Sequence, residues 1–340
     1  MKSRKKLIFG LLFIFAVSIF AIGCGGKKTE APKEPAKPAG ITMRLGDVHP
    51  PYYPTVIGNK KFAELVEQKT NGRIKIEVYH SGQLGDEKAV IEQVQLGAIE
   101  FTRISSSPLG EFSKPFGVFS LPYIFDNTDH LWRYLESDDG KALLTGLESS
   151  RMRGLAYYAS GTRSFYSSKP LNSVEDLRGK NIRVQQSKIN MEMISALGAT
   201  PTPMPYGEVF GGLQSGTIDV AENNFPSYLS ANHYQVARYF INDQHQMVPE
   251  VLLISKVAWD KLSEEDKKII EEAAWESVKY QIESWNAFEK EAREKVVAAG
   301  SIVVDVADLS PWQAAVKSVV DSYRDEFRAQ LEAIERYRNR

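Results

Sequence analysis

Apolar positions recur along this chain with two different periods. From Arg73 to Tyr79 (RIKIEVY) they alternate, placing Ile74, Ile76 and Val78 on one side, which predicts a half-buried strand. Upstream, a short strand is expected at Ile41 to Leu45, and Phe62 to Val66 carry helical spacing up to a stop at Thr70-Asn71-Gly72. Downstream, Gln83-Leu84-Gly85-Asp86 reads as a turn with an acidic helix start. That helix runs through Val90, Ile91, Val94 and Leu96 to Gly97, and Ile99 to Ile104 forms the next strand. The order βαβαβ predicts parallel strands with helices on both faces.

The same alternation of elements returns later. Gly154 to Ala159, Ser164 to Ser167 and Asn181 to Val184 read as short strands, the last leading into a helix with Ile189, Met193, Ile194 and Leu197 that stops at Gly198. A helix near Glu208 to Gln214 precedes a strand at Ile218 to Ala221, and Val248 to Ser255 is another strand. Ser263 then caps a charged amphipathic helix reaching about Ala299, with Asp266 placed as in a capping box. Its apolar positions, from Ile269 through Trp285 to Phe288, follow three- and four-residue steps, and its length suits a helix spanning two lobes. Trp312 to Tyr337 is amphipathic as well. Its stripe of Val316, Val319, Val320, Tyr323 and Phe327 is expected to be core, with pairing of two copies as the alternative.

The amino terminus changes the picture. Lys2, Arg4, Lys5 and Lys6 precede an apolar run from Leu7 to Ile22 and the small residues Gly23 to Gly26, the order of an export signal over residues 1–23. The run is too short for a membrane span and is followed closely by Cys24, the only cysteine, which predicts cleavage and lipidation there. Residues 24–40 have almost no large apolar side chain and three prolines, the composition of an extended tether. The expected product is exported and lipid-anchored, to the outer face of the cytoplasmic membrane or within the periplasm.

Charge and motifs exclude several classes of function. Forty-two Lys and Arg stand against 43 Asp and Glu, with no basic block beyond the first six residues, so nothing supports nucleic-acid binding. G-x-S-x-G, H-E-x-x-H, the P-loop and G-x-G-x-x-G are all missing, so no catalytic residue and no cofactor is assigned. The five histidines never fall three or four apart on a predicted helix, so no metal site is assigned.

Two arginines stand out. Arg163 begins a predicted strand in SGTRSFYSS, and Arg183 lies inside another, KNIRVQQS, between Ile182 and Val184. A guanidinium there either snorkels to water or grips a carboxylate through its paired donors, and residue chemistry alone leaves both open. The strings GQLGDEKAVIEQVQLGAIEF, FGVFSLPYIFDN, DLRGKNIRV, LGATPTPMPYGEVFGGLQSGTIDVAENN and HYQVARYF resemble the solute-binding proteins of tripartite ATP-independent periplasmic (TRAP) transporters, over Ile41 to about Ala299 and in order.

The resemblance implies an α/β, two-lobed periplasmic-binding-protein-like fold with crossing interlobe segments and a long lobe-spanning helix. On this chain that means lobe I over 41–160, lobe II over 161–248, a return to lobe I with the long helix over 249–300, and a carboxy-terminal strand and helix over 301–340. It also implies a non-enzymatic protein that captures an organic acid and delivers it to the small and large membrane subunits of a TRAP permease. The family's carboxylate-binding arginine falls on Arg183, a second arginine on Arg163, the cleft asparagine on Asn223 and the aromatic before the E-V-[YF] helix on Tyr206. Asn224 departs from a common proline, and either contacts a hydroxyl-rich ligand or caps local backbone. Arg103, His49 and His245 complete the candidate ligand contacts, either histidine having backbone hydrogen bonding as its alternative. The combination RVQQS, PMPYGEVF and AENNFPSY resembles members that take sugar acids, uronates such as glucuronate or galacturonate. A C4-dicarboxylate or other organic acid, or a sensor feeding a signalling receptor, is the alternative.

Overall fold

The computed structural model describes residues 40–338, so the expectations for the export signal, for Cys24 and for nearly all of the tether lie outside the described residues. Within the described residues, eleven strands form two sheets. The first contains β1 (Ile41–Gly46), β2 (Ile74–Tyr79), β3 (Phe101–Ser105), β4 (Met152–Tyr158) and β10 (Glu250–Ser255), in the order β2-β1-β3-β10-β4. The second contains β5 (Arg163–Ser167), β6 (Asn181–Val184), β7 (Thr200–Pro203), β8 (Val220–Asn223), β9 (Tyr239–Gln246) and β11 (Ile302–Asp305), in the order β11-β9-β5-β8-β6-β7.

The expected βαβαβ unit is present: β1 runs parallel to both β2 and β3, connected by helices α1 (Pro54–Lys69) and α2 (Glu87–Leu96). Helix α1 begins eight residues earlier than its apolar spacing indicates, because Pro54 at the first turn has the backbone angle a helix start requires. Asp86 caps α2 by accepting from the Ala89 amide, and Gly97 ends it with φ 76°. Strand β10 then enters the first sheet antiparallel to β3 and β4, carrying the chain back after the second sheet is built.

Three segments run between the sheets: 159–162 from β4 to β5, 247–249 from β9 to β10, and the helix Glu264–Ala298 leading from β10 to β11. At 35 residues this helix is about 52 Å long. Ser263 caps it and three acids fill its first turn, where the helix dipole favours negative charge. Its early apolar residues Ile270, Ala273, Ala274 and Val278 pack into the core of the first sheet, and its late ones, Ala292 and Val296, into a core of the second. Between them Gln281 holds the first crossing segment, its side chain accepting from the Ala159 amide at 2.7 Å and donating to the Ala159 carbonyl at 2.9 Å. Gly58 of α1 permits this approach, since a Cβ there would lie 2.9 Å from Gln281. Of the carboxy-terminal stripe, Val319, Tyr323 and Phe327 are buried in the first sheet's core and Val316 in a core of the second, while Val320 is half-buried.

Candidate functional site

The strands converge on the site with their carboxyl ends. Asp47 and His49 follow β1, Arg103 and Ser105 end β3, Gln185 follows β6, and Glu222 and Asn223 end β8, the place where open α/β sheets leave backbone free to shape a crevice. Between them lies a cavity of about 300 Å³, lined on one side by Val48, Asp86 and Glu87 and on the other by Arg183, Gln185, Gln186 and Tyr206. The first group belongs to the first sheet and the second group to the second, so the cavity lies between the two halves.

Arg183 occupies the cavity wall at 3% exposure. Its Nε and Nη2 donate to the Met204 carbonyl at 3.0 and 2.8 Å, which fixes the guanidinium plane. Nη1 makes no hydrogen bond among the described residues, and its nearest carboxylate oxygen, on Glu222, is 3.9 Å away. Burial pushes its pKa down while Glu222 opposes, and an arginine keeps its charge regardless. Tyr206 stands beside it, its hydroxyl 3.4 Å from the Ser227 carbonyl and its ring 5.1 Å from that of His49.

Arg163 is behind this surface. Its Nε and Nη2 both reach the Glu222 carboxylate, Nη2 also donates to the Glu222 carbonyl at 2.9 Å, and Nη1 donates to Asn223 Oδ1 at 3.2 Å. Burial pushes the Glu222 carboxyl up, but Arg163 and His245 outweigh it and hold it down at about 2. His245 completes the group: its Nδ1 is 2.9 Å from Asp243, its Nε2 3.7 Å from Glu222, and its ring stacks on Phe165 at 4.3 Å. Burial alone would make His245 less basic, yet the two carboxylates raise it to about 9, so it is an imidazolium.

A second charged cluster lies under the opposite wall. All five donors of Arg103 are engaged: Nε with Asp47 at 3.1 Å, Nη1 with Glu87 at 2.8 Å and Glu250 at 2.7 Å, and Nη2 with Asp47 and with His49 at 2.8 Å. Burial disfavours the charge on Asp47, but Arg103 and His49 outweigh it and keep that carboxyl well below its usual range. Burial instead prevails at Glu250, pushed up to about 7 with Glu87 and Asp47 adding to the shift against Arg103. His49 is made less basic by burial and by Arg103, and its ring stacks on Tyr53 at 3.9 Å.

Of the eight candidate ligand contacts, the structure brings two, Arg183 and Tyr206, onto the cavity wall. Arg103 has no donor left for a ligand, because three carboxylates and a histidine surround it. Asn224 caps the helix Phe225–Ser230 through its Oδ1 and ties that helix to the crossing segment through Nδ2 on Ser160. His245 is sandwiched between carboxylates and an aromatic ring. His49 and Asn223 keep one nitrogen each, Nε2 and Nδ2, without a hydrogen bond among the described residues. The sequence reading missed Asp47 and Glu250, which no motif marks, and Glu87, Gln185, Gln186 and Glu222, which stood inside quoted strings but were assigned no role. No group of three or more His, Cys, Asp or Glu side chains among the described residues could hold a metal ion.

Two α/β halves, three crossings and a charged cavity between strand ends define a two-lobed solute-binding protein of the periplasmic type. The model of bacterial extracellular solute-binding protein family 7, DctP, matches residues 45–326, and the chain belongs to that TRAP transporter family. It is 36% identical to a solute-binding protein of Chromohalobacter salexigens across 84% of this chain and 85% of that one. The structure of a TRAP periplasmic solute-binding protein from Xanthobacter autotrophicus Py2 with bound β-D-galacturonate superposes with a TM-score of 0.84 at 43% identity, covering 87% of this chain and 99% of that one. A second, from a Bradyrhizobium species in complex with galacturonate, gives 0.85 at 40% identity over 88% and 100%. No helix among the described residues is long and apolar enough to cross a membrane.

Proposed function

We propose that this chain captures a uronate outside the cytoplasmic membrane and hands it to a TRAP permease. The observation that carries the reading is Arg183: a buried, permanently charged guanidinium, held on one edge by a backbone carbonyl, whose remaining donors face a cavity. Such a group calls for an anion, and its fork matches a carboxylate. A cavity of about 300 Å³ is at the small end of ligand pockets, with room for one sugar acid. Gln185 Oε1 is buried without a partner among the described residues, an acceptor suited to a ligand hydroxyl. Tyr206 covers a ring face, while Arg163 and Asn223, set behind the wall, hold Glu222 and each other in place. Arg103, His245 and Asn224 position the walls. The two solved relatives at 43% and 40% identity hold galacturonate, which supports the same ligand class here.

Closure follows from the same contacts, since only the closed arrangement presents both walls to one ligand. Export and lipidation at Cys24 belong to this proposal, and loss of fatty-acid labelling in Cys24→Ser tests the anchor. The ligand is tested by calorimetry with D-galacturonate, D-glucuronate, succinate and sialic acid. Tight binding of a uronate with the other two at least roughly 100-fold weaker, about 2.8 kcal/mol, is expected. Failure of both uronates to bind overturns the reading.

A further inference from the structure

The cavity lining carries one cation and three carboxylates: Arg183 and the exposed Glu208 on one wall, Asp86 and Glu87 on the other. Glu87 is the first residue of α2, and its Oε1 is pinned by Arg103 at 2.8 Å and by the Ser105 amide at 3.2 Å. Its Oε2 makes no hydrogen bond among the described residues. Arg103 does not cancel this charge, because the same guanidinium serves Asp47 and Glu250 as well: three carboxylates share one cation. With a proton on Glu250 the wall is still net negative. Asp86, whose Oδ1 caps α2, adds a further carboxylate to the cavity lining.

An ionised carboxylate accepts hydrogen bonds and donates none. Glu87 Oε2 therefore favours a hydroxyl on the ligand and repels a second carboxylate, and like-charge juxtaposition is one of the strongest ways a site rejects a wrong partner. We propose that Glu87 sets specificity by rejecting acids oxidised at both ends, so that the protein takes a uronate and excludes the corresponding aldarate. The proposal rests on the uronate reading and deepens it: Arg183 selects for one carboxylate, and Glu87 selects against two.

The test is calorimetry on purified protein and on Glu87→Gln, with galacturonate, glucuronate, galactarate and glucarate as ligands. In the unaltered protein the aldarates should bind at least roughly 100-fold more weakly than the better uronate. Glu87→Gln keeps the shape and removes the charge. It should weaken the uronate about tenfold and tighten the aldarate, shrinking the ratio by about tenfold or more. Glu87→Asp retains the charge and should retain the exclusion, which covers the case in which the glutamine variant does not fold. Aldarate binding equal to uronate binding in the unaltered protein overturns this inference while leaving the uronate reading intact. An unchanged ratio in a folded Glu87→Gln also overturns it. Binding of neither acid overturns the uronate reading itself, and this inference with it.

Discussion

Arg163 and Glu222 face each other from neighbouring strands, β5 and β8, and form a buried fork in which one guanidinium edge engages both carboxylate oxygens. Glu222 is the sole carboxylate shared by Arg163, Arg183 and His245 among the described residues. Glu222→Ala leaves three cations together in a dry interior. It should destabilise the protein by about 3–5 kcal/mol, the cost of breaking a buried ion pair from one side. Urea unfolding without ligand measures this, and a loss under 1 kcal/mol would show that the cluster relaxes by admitting water.

Arg183 differs, since its partner within the chain is a carbonyl and its function lies toward the cavity. Arg183→Ala should cost about 2–5 kcal/mol of binding free energy, from about 30-fold to several thousand-fold in Kd. Arg183→Lys should not rescue it, because an ammonium lacks the planar fork. Calorimetry reads both, and a near-unchanged Kd in either would remove the clamp.

His245 makes the protein sensitive to alkali. Its folded pKa of about 9 lies above the ordinary 6.5, so its contribution is complete below about pH 6.5 and disappears as pH rises through 9. The stability difference between the unaltered protein and His245→Gln should shrink over that window. Denaturation midpoints at pH 6, 7.5 and 9.5 check it, and a constant difference would mean that His245 is neutral throughout.

Gly161 tests the first crossing segment. Its φ is 60°, and a Cβ there would lie 2.5 Å from Glu289 and 3.0 Å from Trp285 of the long helix. Gly179 has a similar φ of 70° with open space around it. Both alanine variants should lose about 1 kcal/mol to the left-handed backbone, and Gly161→Ala about 1–3 kcal/mol more from crowding. Equal losses would show that the helix moves aside freely.

Tyr53 reports on closure without lining the cavity. Its hydroxyl meets Ser227 Oγ at 2.8 Å, joining the start of α1 on one half to the helix after β8 on the other. Tyr53→Phe removes one bond that exists only when the halves meet, worth about 0.5–1.5 kcal/mol. Affinity should fall about two- to tenfold with little change in unliganded stability. An unaltered Kd would indicate that this contact is replaced by water at no cost.

How much of this the chain announced depended on the environment of each segment. Alternation in β2 and the long helix's spacing were legible because each buries one face and exposes the other. Strand β9 was not, since YFINDQHQ buries polar side chains at Asn242, Asp243, His245 and Gln246, each matched by partners from elsewhere. Strand β7 carries two prolines, tolerable because it is the edge of its sheet. In the site, Arg183 and Tyr206 stood in recognisable strings. The charges that surround Arg103 come from positions 47, 87 and 250, and their convergence is a product of topology that no local pattern encodes.

The stitch between Gln281 and Ala159 leaves the first crossing strap no slack on the side of the first sheet. Any swing of one half against the other must therefore be absorbed within Ser160 to Thr162 and farther along the rod from Gln281. The 35-residue rod is thus pinned near its middle, with arms of equal length reaching into the cores of the two sheets.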